Sequence, residues 1–278
     1  MYQCAILPLL ESLRIIAPVF ISLRVASYFV ERGLSRTSQA TQMVSVLDTA
    51  KDARILVLED ALRRLNEMVG NRKLKLHVDY AQLGTLLQQA GSLIYEVKYS
   101  YVPATTIADM EATQKIIANI GEFRRTLEGA IRTSGYKPSS VKETLTLADV
   151  FYSFRIVETV VQKLRDFDDE PGYAVDILAV EISQIQAISG SKNLIECRCT
   201  DGSRIWKIVT NIQGVKPGMK LACAVLPPVE MMDIVSEAMF LGGQPLSEDT
   251  ELGPLSNPPL AILDQARAQV LHIIKRMT

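Results

Sequence analysis

The chain has 278 residues, 48% of them apolar and 22% charged, which excludes wholesale disorder and gives enough apolar matter for one large domain or two ordinary ones. Its formal net charge is −1 at pH 7, which excludes a global positive field, so any nucleic-acid site has to be a local patch. The four cysteines, Cys4, Cys197, Cys199 and Cys223, lie far in sequence from the two histidines, His77 and His272. They do not form a zinc set, so no metal and no cofactor are expected.

The chain opens on an apolar stretch, Ile15 to Leu23, closely flanked by Glu11, Arg14 and Arg24. A spanning helix needs about 20 mostly apolar residues, and a signal peptide needs a basic region before the run and small residues after it. The stretch therefore reads as a buried amphipathic helix, with Pro18 placed to kink it, in a cytoplasmic protein without a membrane segment. Apolar residues then recur at three- and four-residue steps: Ile55, Leu58, Leu62, Leu65 and Val69; Leu76, Tyr80, Leu83, Leu87, Ala90, Ile94, Val97 and Tyr101. Two further series are Ile116, Ile120, Phe123, Leu127 and Ala130, and Leu147, Val150, Phe154, Val157, Val161 and Leu164. Each puts an apolar stripe on one helix face, and such helices bury their stripes only against one another. Thr106-x-x-Asp109 reads as a helix start and Ser140-x-x-Glu143 as a capping box; Gly70 and Gly135 stand where helices stop. The predicted first domain is a helical bundle over residues 1–165.

The acidic run from Arg165 to Pro171-Gly172 reads as a linker. After it the apolar period shortens. Cys197 and Cys199 share one face of a strand, and Asp201-Gly202 signals a type I′ hairpin between two strands. Lys216-Pro217-Gly218 is another turn, before a strand over residues 220–226. Short strands with tight turns predict a five-stranded barrel. Residues 244–259 read as a loop, and Leu263, Ala266, Val270, Ile273 and Met277 mark a C-terminal helix, predicted over residues 258–278.

Enzyme signatures are absent: there is no phosphate-binding glycine loop with its lysine, no G-x-S-x-G and no H-E-x-x-H. The barrel segment instead offers Lys192, Arg198, Arg204, Trp206 and Lys207. In a strand Arg204 and Trp206 point to the same side, so cation and indole form a candidate base-stacking platform. The bland alternative is that Trp206 covers the barrel end or packs on the helices.

Three elements carry a resemblance. Ile208-Val209-Thr210-Asn211-Ile212 is followed by Lys216-Pro217-Gly218-Met219-Lys220-Leu221, and the segment closes on Ser236-Glu237-Ala238-Met239-Phe240-Leu241. Residues 174–243, about a quarter of the chain, resemble the tRNA-binding OB-fold module appended to methionyl-tRNA synthetases and found in free-standing tRNA-binding proteins. The family's closing motif is Ser-x-Gly-Met-x-Leu, matched by Ser236, Met239 and Leu241 with Ala238 in place of glycine. Its serine and methionine lie on the RNA-facing side. The family's His-Pro-Asn-Ala-Asp turn is replaced by Ile188-Ser189-Gly190-Ser191. Its basic stretch before the closing motif is replaced by residues 227–233, from Pro227 to Asp233. Residues 176–243 hold six Lys or Arg against seven Asp or Glu, a weak electrostatic basis for gripping phosphate.

The expected fold is therefore α plus β: a helical bundle, a small OB-fold barrel and a C-terminal helix. The resemblance implies a non-enzymatic protein that binds tRNA or another structured RNA through Lys192, Arg204, Trp206, Lys207, Asn211, Ser236 and Met239. An aminoacyl-tRNA synthetase or other protein is the expected partner, and homodimerisation is a further expectation by analogy. The alternative is a protein-interaction scaffold that has lost RNA binding and presents Met231, Met232, Met239 and Phe240 as an adaptable apolar surface.

Overall fold

A computed structural model describes residues 48–277 of the chain; Cys4 and the apolar stretch around Pro18 lie outside the described residues. Helices α1 (Ala53–Gly70), α2 (Tyr80–Lys98), α3 (Ala104–Asp109), α4 (Glu111–Ser134) and α5 (Val141–Asp166) come first. A 3-10 turn (Pro171–Ala174) then leads into strands β1 (Ile177–Ala187), β2 (Ile195–Thr200), β3 (Ile205–Thr210), β4 (Lys220–Met231) and β5 (Ile234–Phe240). A two-residue strand β6 (Gly253–Pro254) falls in the stretch predicted as loop and pairs with β1, and helix α6 (Leu260–Lys275) ends the described chain. The fold is α plus β.

The helix ends follow local chemistry. Ser140 Oγ accepts from the Glu143 backbone N–H at 3.2 Å. The Glu143 carboxylate returns the contact to Ser139, one residue upstream of the cap, accepting from its N–H and hydroxyl. Those bonds and Lys75 hold the Glu143 carboxyl down at about 2. Gly135 ends α4 at φ 62°, the left-handed conformation glycine adopts without penalty. Thr106 does not start a long helix: it lies inside the short α3, whose last residue is Asp109. The following long helix begins at Glu111, after the extended Met110.

The predicted stripes form the bundle core, in which Phe123 meets Phe154 edge-on at 5.4 Å, although Leu76 precedes α2 and Tyr101 lies past its end, 50% exposed. Helices α1 and α5 carry a second apolar face that the sequence series did not separate. Ala53, Val57 and Ala61 of α1 and Tyr152 and Ile156 of α5 join the barrel core with Leu263, Ala266 and Val270 of α6. The described residues are consequently one compact unit. The Pro171-Gly172 segment marks a change of secondary structure and is itself packed. A Cβ on Gly172 would come within 2.6 Å of a Leu263 methyl and 3.0 Å of its carbonyl oxygen, so only glycine allows this approach to α6.

Strand order along the sheet is β3-β2-β1-β4-β5. Contacts between β3 and β5 close the barrel: Ser236 Oγ and Glu237 Oε2 accept from the backbone N–H groups of Val209 and Lys207. This circular order is that of a five-stranded Greek-key barrel of the OB type. Cys197, Cys199 and Cys223 line its interior, fully buried. Burial raises the Cys197 thiol to about 11 and the Cys199 thiol to about 12, which keeps both protonated and unreactive near neutrality.

Two turns differ from their sequence reading. The predicted type I′ hairpin at Asp201-Gly202 does not form. The ladder stops at Thr200–Ile205, and of residues 201–204 only Gly202 has positive φ, at 88°, whereas type I′ needs two such residues. Asp201 is why: its carboxylate accepts the backbone N–H groups of Ser203 and Arg204 and so organises the loop from its side chain. The two-residue turn with both φ positive is instead Met232–Asp233, at 53° and 63°, between Met231 and Ile234.

Candidate nucleic-acid interface

Helix α5 lies along β4 and β5 over the whole length of the barrel. Its first turn meets the β4–β5 turn, through Val141 and Thr144 beside Asp233 and Ile234. Its middle covers Trp206, through Phe151, Tyr152 and Arg155. Its last third meets Asp176, the residue before β1, through Arg155, Thr159 and Lys163.

The middle contact decides the fate of the predicted stacking platform. Trp206 is 2% exposed. Its indole N–H donates to Asp201 Oδ2 at 2.8 Å, and the Arg204 and Arg155 guanidinium groups cover its ring at 3.8 and 5.3 Å from the centroid. Arg204 also pairs with Glu237. Both cations a base would need, and the ring it would stack on, are already engaged. Trp206 is therefore a packing residue between barrel and helices, not a stacking residue. Burial alone would raise the Asp201 carboxyl, but the Arg204 N–H, the indole and Ser203 overcome it and hold it at about 2.

Ser236 is likewise corrected. It is buried, and its hydroxyl accepts from Val209 N–H and donates to the Ala238 carbonyl, so it latches β5 to β3 and faces no ligand. Met239 packs against the barrel core. Phe240, expected on an apolar contact surface, is 4% exposed and belongs to that core.

The remaining predicted residues do not form one cluster with Arg204. Lys192 is exposed in the β1–β2 loop and Asn211 is exposed just past β3, both at the barrel end where Met232 touches Gly190. Arg204 precedes β3 at the other end, roughly 20 Å away at the ordinary strand rise. Lys207 lies between them, on the outer face of β3.

On that outer face the structure assembles a groove that the sequence did not single out as a unit. Arg198 and Lys207 are direct partners across β2 and β3. Like charges placed opposite each other weaken a sheet. Next to them is Glu196, 8% exposed. Its carboxylate makes no hydrogen bond; its one charged contact is Arg198 Nε at 3.5 Å, and Oε1 is buried without a partner. These three residues, with Val141, Thr144, Asp233, Ile234 and Val235, line a cavity of about 180 Å³. A second lobe of about 160 Å³ adjoins it and shares Thr144, Lys207 and Val235, with Leu147, Ala148, Phe151 and Glu237 as its other walls. Lys207 thus stands between two lobes of one groove, without a carboxylate partner among the described residues. The alternation of β2 and β3 could have revealed Glu196, Arg198 and Lys207 as same-face neighbours; nothing local could have revealed α5 as the opposite wall.

A larger cavity, about 530 Å³, lies elsewhere, between the end of α5, the start of β1 and residues 254–257. Its buried charges satisfy one another. Asp176 accepts from Arg155 and from Lys163, the latter at 2.7 Å, and Lys163 also donates to the Ala174 carbonyl. Burial would raise the Asp176 carboxyl, but Lys163 and Arg155 hold it below the usual range. Among the described residues no group of three or more His, Cys, Asp or Glu side chains is arranged to hold a metal, and no helix is long and apolar enough to cross a membrane.

Residues 46–166 match a protein family described as an alpha helical domain. The match covers the helices up to the end of α5 and stops before the barrel. No curated protein matches the chain.

Proposed function

We propose that the protein is a non-catalytic RNA-binding protein of the cytoplasm that takes tRNA or another structured RNA on the outer face of β2 and β3. The observation that carries this reading is the juxtaposition of Arg198 and Lys207 on adjacent strands of an OB-type barrel, at a two-lobed groove where Lys207 lacks a counter-charge. OB barrels hold single-stranded and looped nucleic acid on this face and at the neighbouring β1–β2 and β4–β5 loops. Exposed Lys192 adds a third cation in the β1–β2 loop. Binding by three cations is expected to be modest and steeply salt-dependent. Removing Lys192, Arg198 and Lys207 together should lower the slope of log K against log salt by about 2–3, measured by tRNA filter binding across a salt series. Absence of tRNA binding by the intact protein at low salt would refute the reading.

A protein-docking role has one specific observation behind it. Val229, Met231 and Met232 are 46%, 36% and 48% exposed at the tip of the β4–β5 hairpin, an adaptable apolar edge of the kind promiscuous contacts use. A synthetase or a second copy of the chain would be its occupant. Charged substitutions at Met231 and Met232 that abolish a co-purifying complex while leaving tRNA binding intact would establish this role instead.

A further inference from the structure

We infer that the Glu196 lobe of the groove is a base pocket selective for guanine, an inference that rests on the RNA-binding reading above. Glu196 is the anomaly that leads there. Its side chain is only 11% exposed, its Oε1 is buried without a hydrogen bond, and its one ion-pair contact, Arg198 Nε, stands 3.5 Å away; such a group is a costly feature in a folded chain. Its own neighbours do not resolve it: Arg198 stands 3.5 Å away with its side chain half exposed, and Lys207, on the adjoining strand, makes no ion pair with it. The missing partner is a donor that arrives with a ligand.

The lobe restricts what that ligand is. Two carboxylates, Glu196 and Asp233, and two cations, Arg198 and Lys207, line it, so its formal charge is zero. A phosphate has nothing to gain in such a site over the open groove; a neutral group that offers both donors and acceptors fits. The volume of about 180 Å³ is below the ~300–1,000 Å³ of pockets for larger ligands and suits one planar ring system. Val141, Ile234 and Val235 supply apolar walls for its faces.

Among the RNA bases, guanine alone sets two donors side by side, N1–H and the 2-amino group, where they satisfy both oxygens of one carboxylate. Its O6 acceptor lies on the same edge, next to N1, within the reach of a neighbouring cation such as Lys207 or Arg198. Adenine puts an acceptor where the carboxylate needs a donor, and uracil and cytosine each offer a single donor position on that edge. The adjoining lobe, with Phe151 and Leu147, leaves room for the next nucleotide, and Lys207 between the two lobes faces the linking phosphate.

The test uses the full chain and three fluorescent heptanucleotides of uridine carrying guanosine, inosine or adenosine at the centre, with binding read by anisotropy. Guanosine is expected to bind roughly 5- to 100-fold tighter than adenosine, with inosine, which lacks the 2-amino group, between them. Glu196→Gln should abolish the ranking. Equal binding of the three heptamers by a chain that still binds tRNA would overturn the guanine pocket and leave the RNA-binding reading standing. Failure to bind any RNA would remove both. Retention of the ranking in Glu196→Gln would also overturn it, and if that variant does not fold, the ranking on the unaltered chain decides alone. An arginine-rich peptide offers the other donor set a carboxylate accepts. Tight capture of hexa-arginine without any ranking of the heptamers would overturn the inference in favour of a peptide site.

Discussion

The seam around Asp176 and Trp206 and the groove around Glu196 and Lys207 are built from the same ingredients, on the same barrel, against the same helix. In the seam each charge is matched: Asp176 receives Arg155 and Lys163, and Asp201 receives the Trp206 indole and the loop N–H groups. In the groove Arg198 and Lys207 sit opposite each other and Glu196 has no hydrogen bond. A seam that must hold two layers together matches its charges internally, and leaves only the neutral Tyr152 hydroxyl buried without a partner. A groove that leaves a buried carboxylate unsatisfied is poised for something outside the chain. Cation beside aromatic is therefore no guide to binding on its own; what matters is whether the pair is already spent.

The largest expected effects would break the seam. Trp206→Ala should cost about 3–5 kcal/mol of folding stability by opening a cavity where barrel and helices meet, with RNA affinity falling only as far as the fold does. Melting and tRNA binding measured on one preparation separate the two. A stable variant with lost RNA affinity would return Trp206 to the binding surface.

Asp176→Ala leaves Arg155 and Lys163 without their shared carboxylate, Lys163 being 6% exposed. Breaking a buried pair by removing one partner typically costs about 3–5 kcal/mol, and Arg155, being partly exposed, should place this variant at the lower end. Chemical denaturation is the measurement, and a loss below about 1 kcal/mol would show that water already shares the site.

Asp201→Asn should cost about 1–3 kcal/mol near neutrality, because one amide oxygen cannot replace two carboxylate oxygens that accept from Ser203, Arg204 and Trp206. The pH dependence has a definite sign. The folded carboxyl is depressed to about 2, so its contribution is present above the ordinary carboxylate range of about 4 and lost as pH falls toward 2. The stability difference between the two proteins should shrink over that window. A difference independent of pH would mean that the loop, and not the charge, carries the effect.

The smallest effect sharpens the groove side. Met232 and Asp233 hold left-handed backbone that side chains disfavour. Replacing them with Asn and Gly, the usual pair for this turn, should stabilise the chain by about 0.5–1 kcal/mol. If the same change weakens RNA or protein binding, the strained pair is kept for the groups it presents, Asp233 at the groove and the exposed Met232.

The bundle was legible in the sequence because a 3.6-residue period is a local record of which face is buried: Ile55, Leu58 and Leu65, or Phe154 and Val157, need no other information. The barrel was legible from the shorter period and from the turns, and the capping of α5 from Ser140 and Glu143 alone. The second apolar faces of α1 and α5 were not legible, since Val57 and Tyr152 fall between the stripes and declare themselves only when a barrel lies on the other side. The same holds for the site. Sequence named Lys192, Lys207 and Asn211 as exposed polar residues of the barrel and missed that Glu196 is stranded among them. It grouped Arg204 and Trp206 with them, although Asp201 and Arg155, five and 51 positions from Trp206 in the chain, decide that this pair faces inward. Periodicity fixes which side of an element is apolar, a property of neighbouring residues. Which charges are matched and which are left open depends on partners far apart in sequence, and only the packing of α5 along the barrel assigns them.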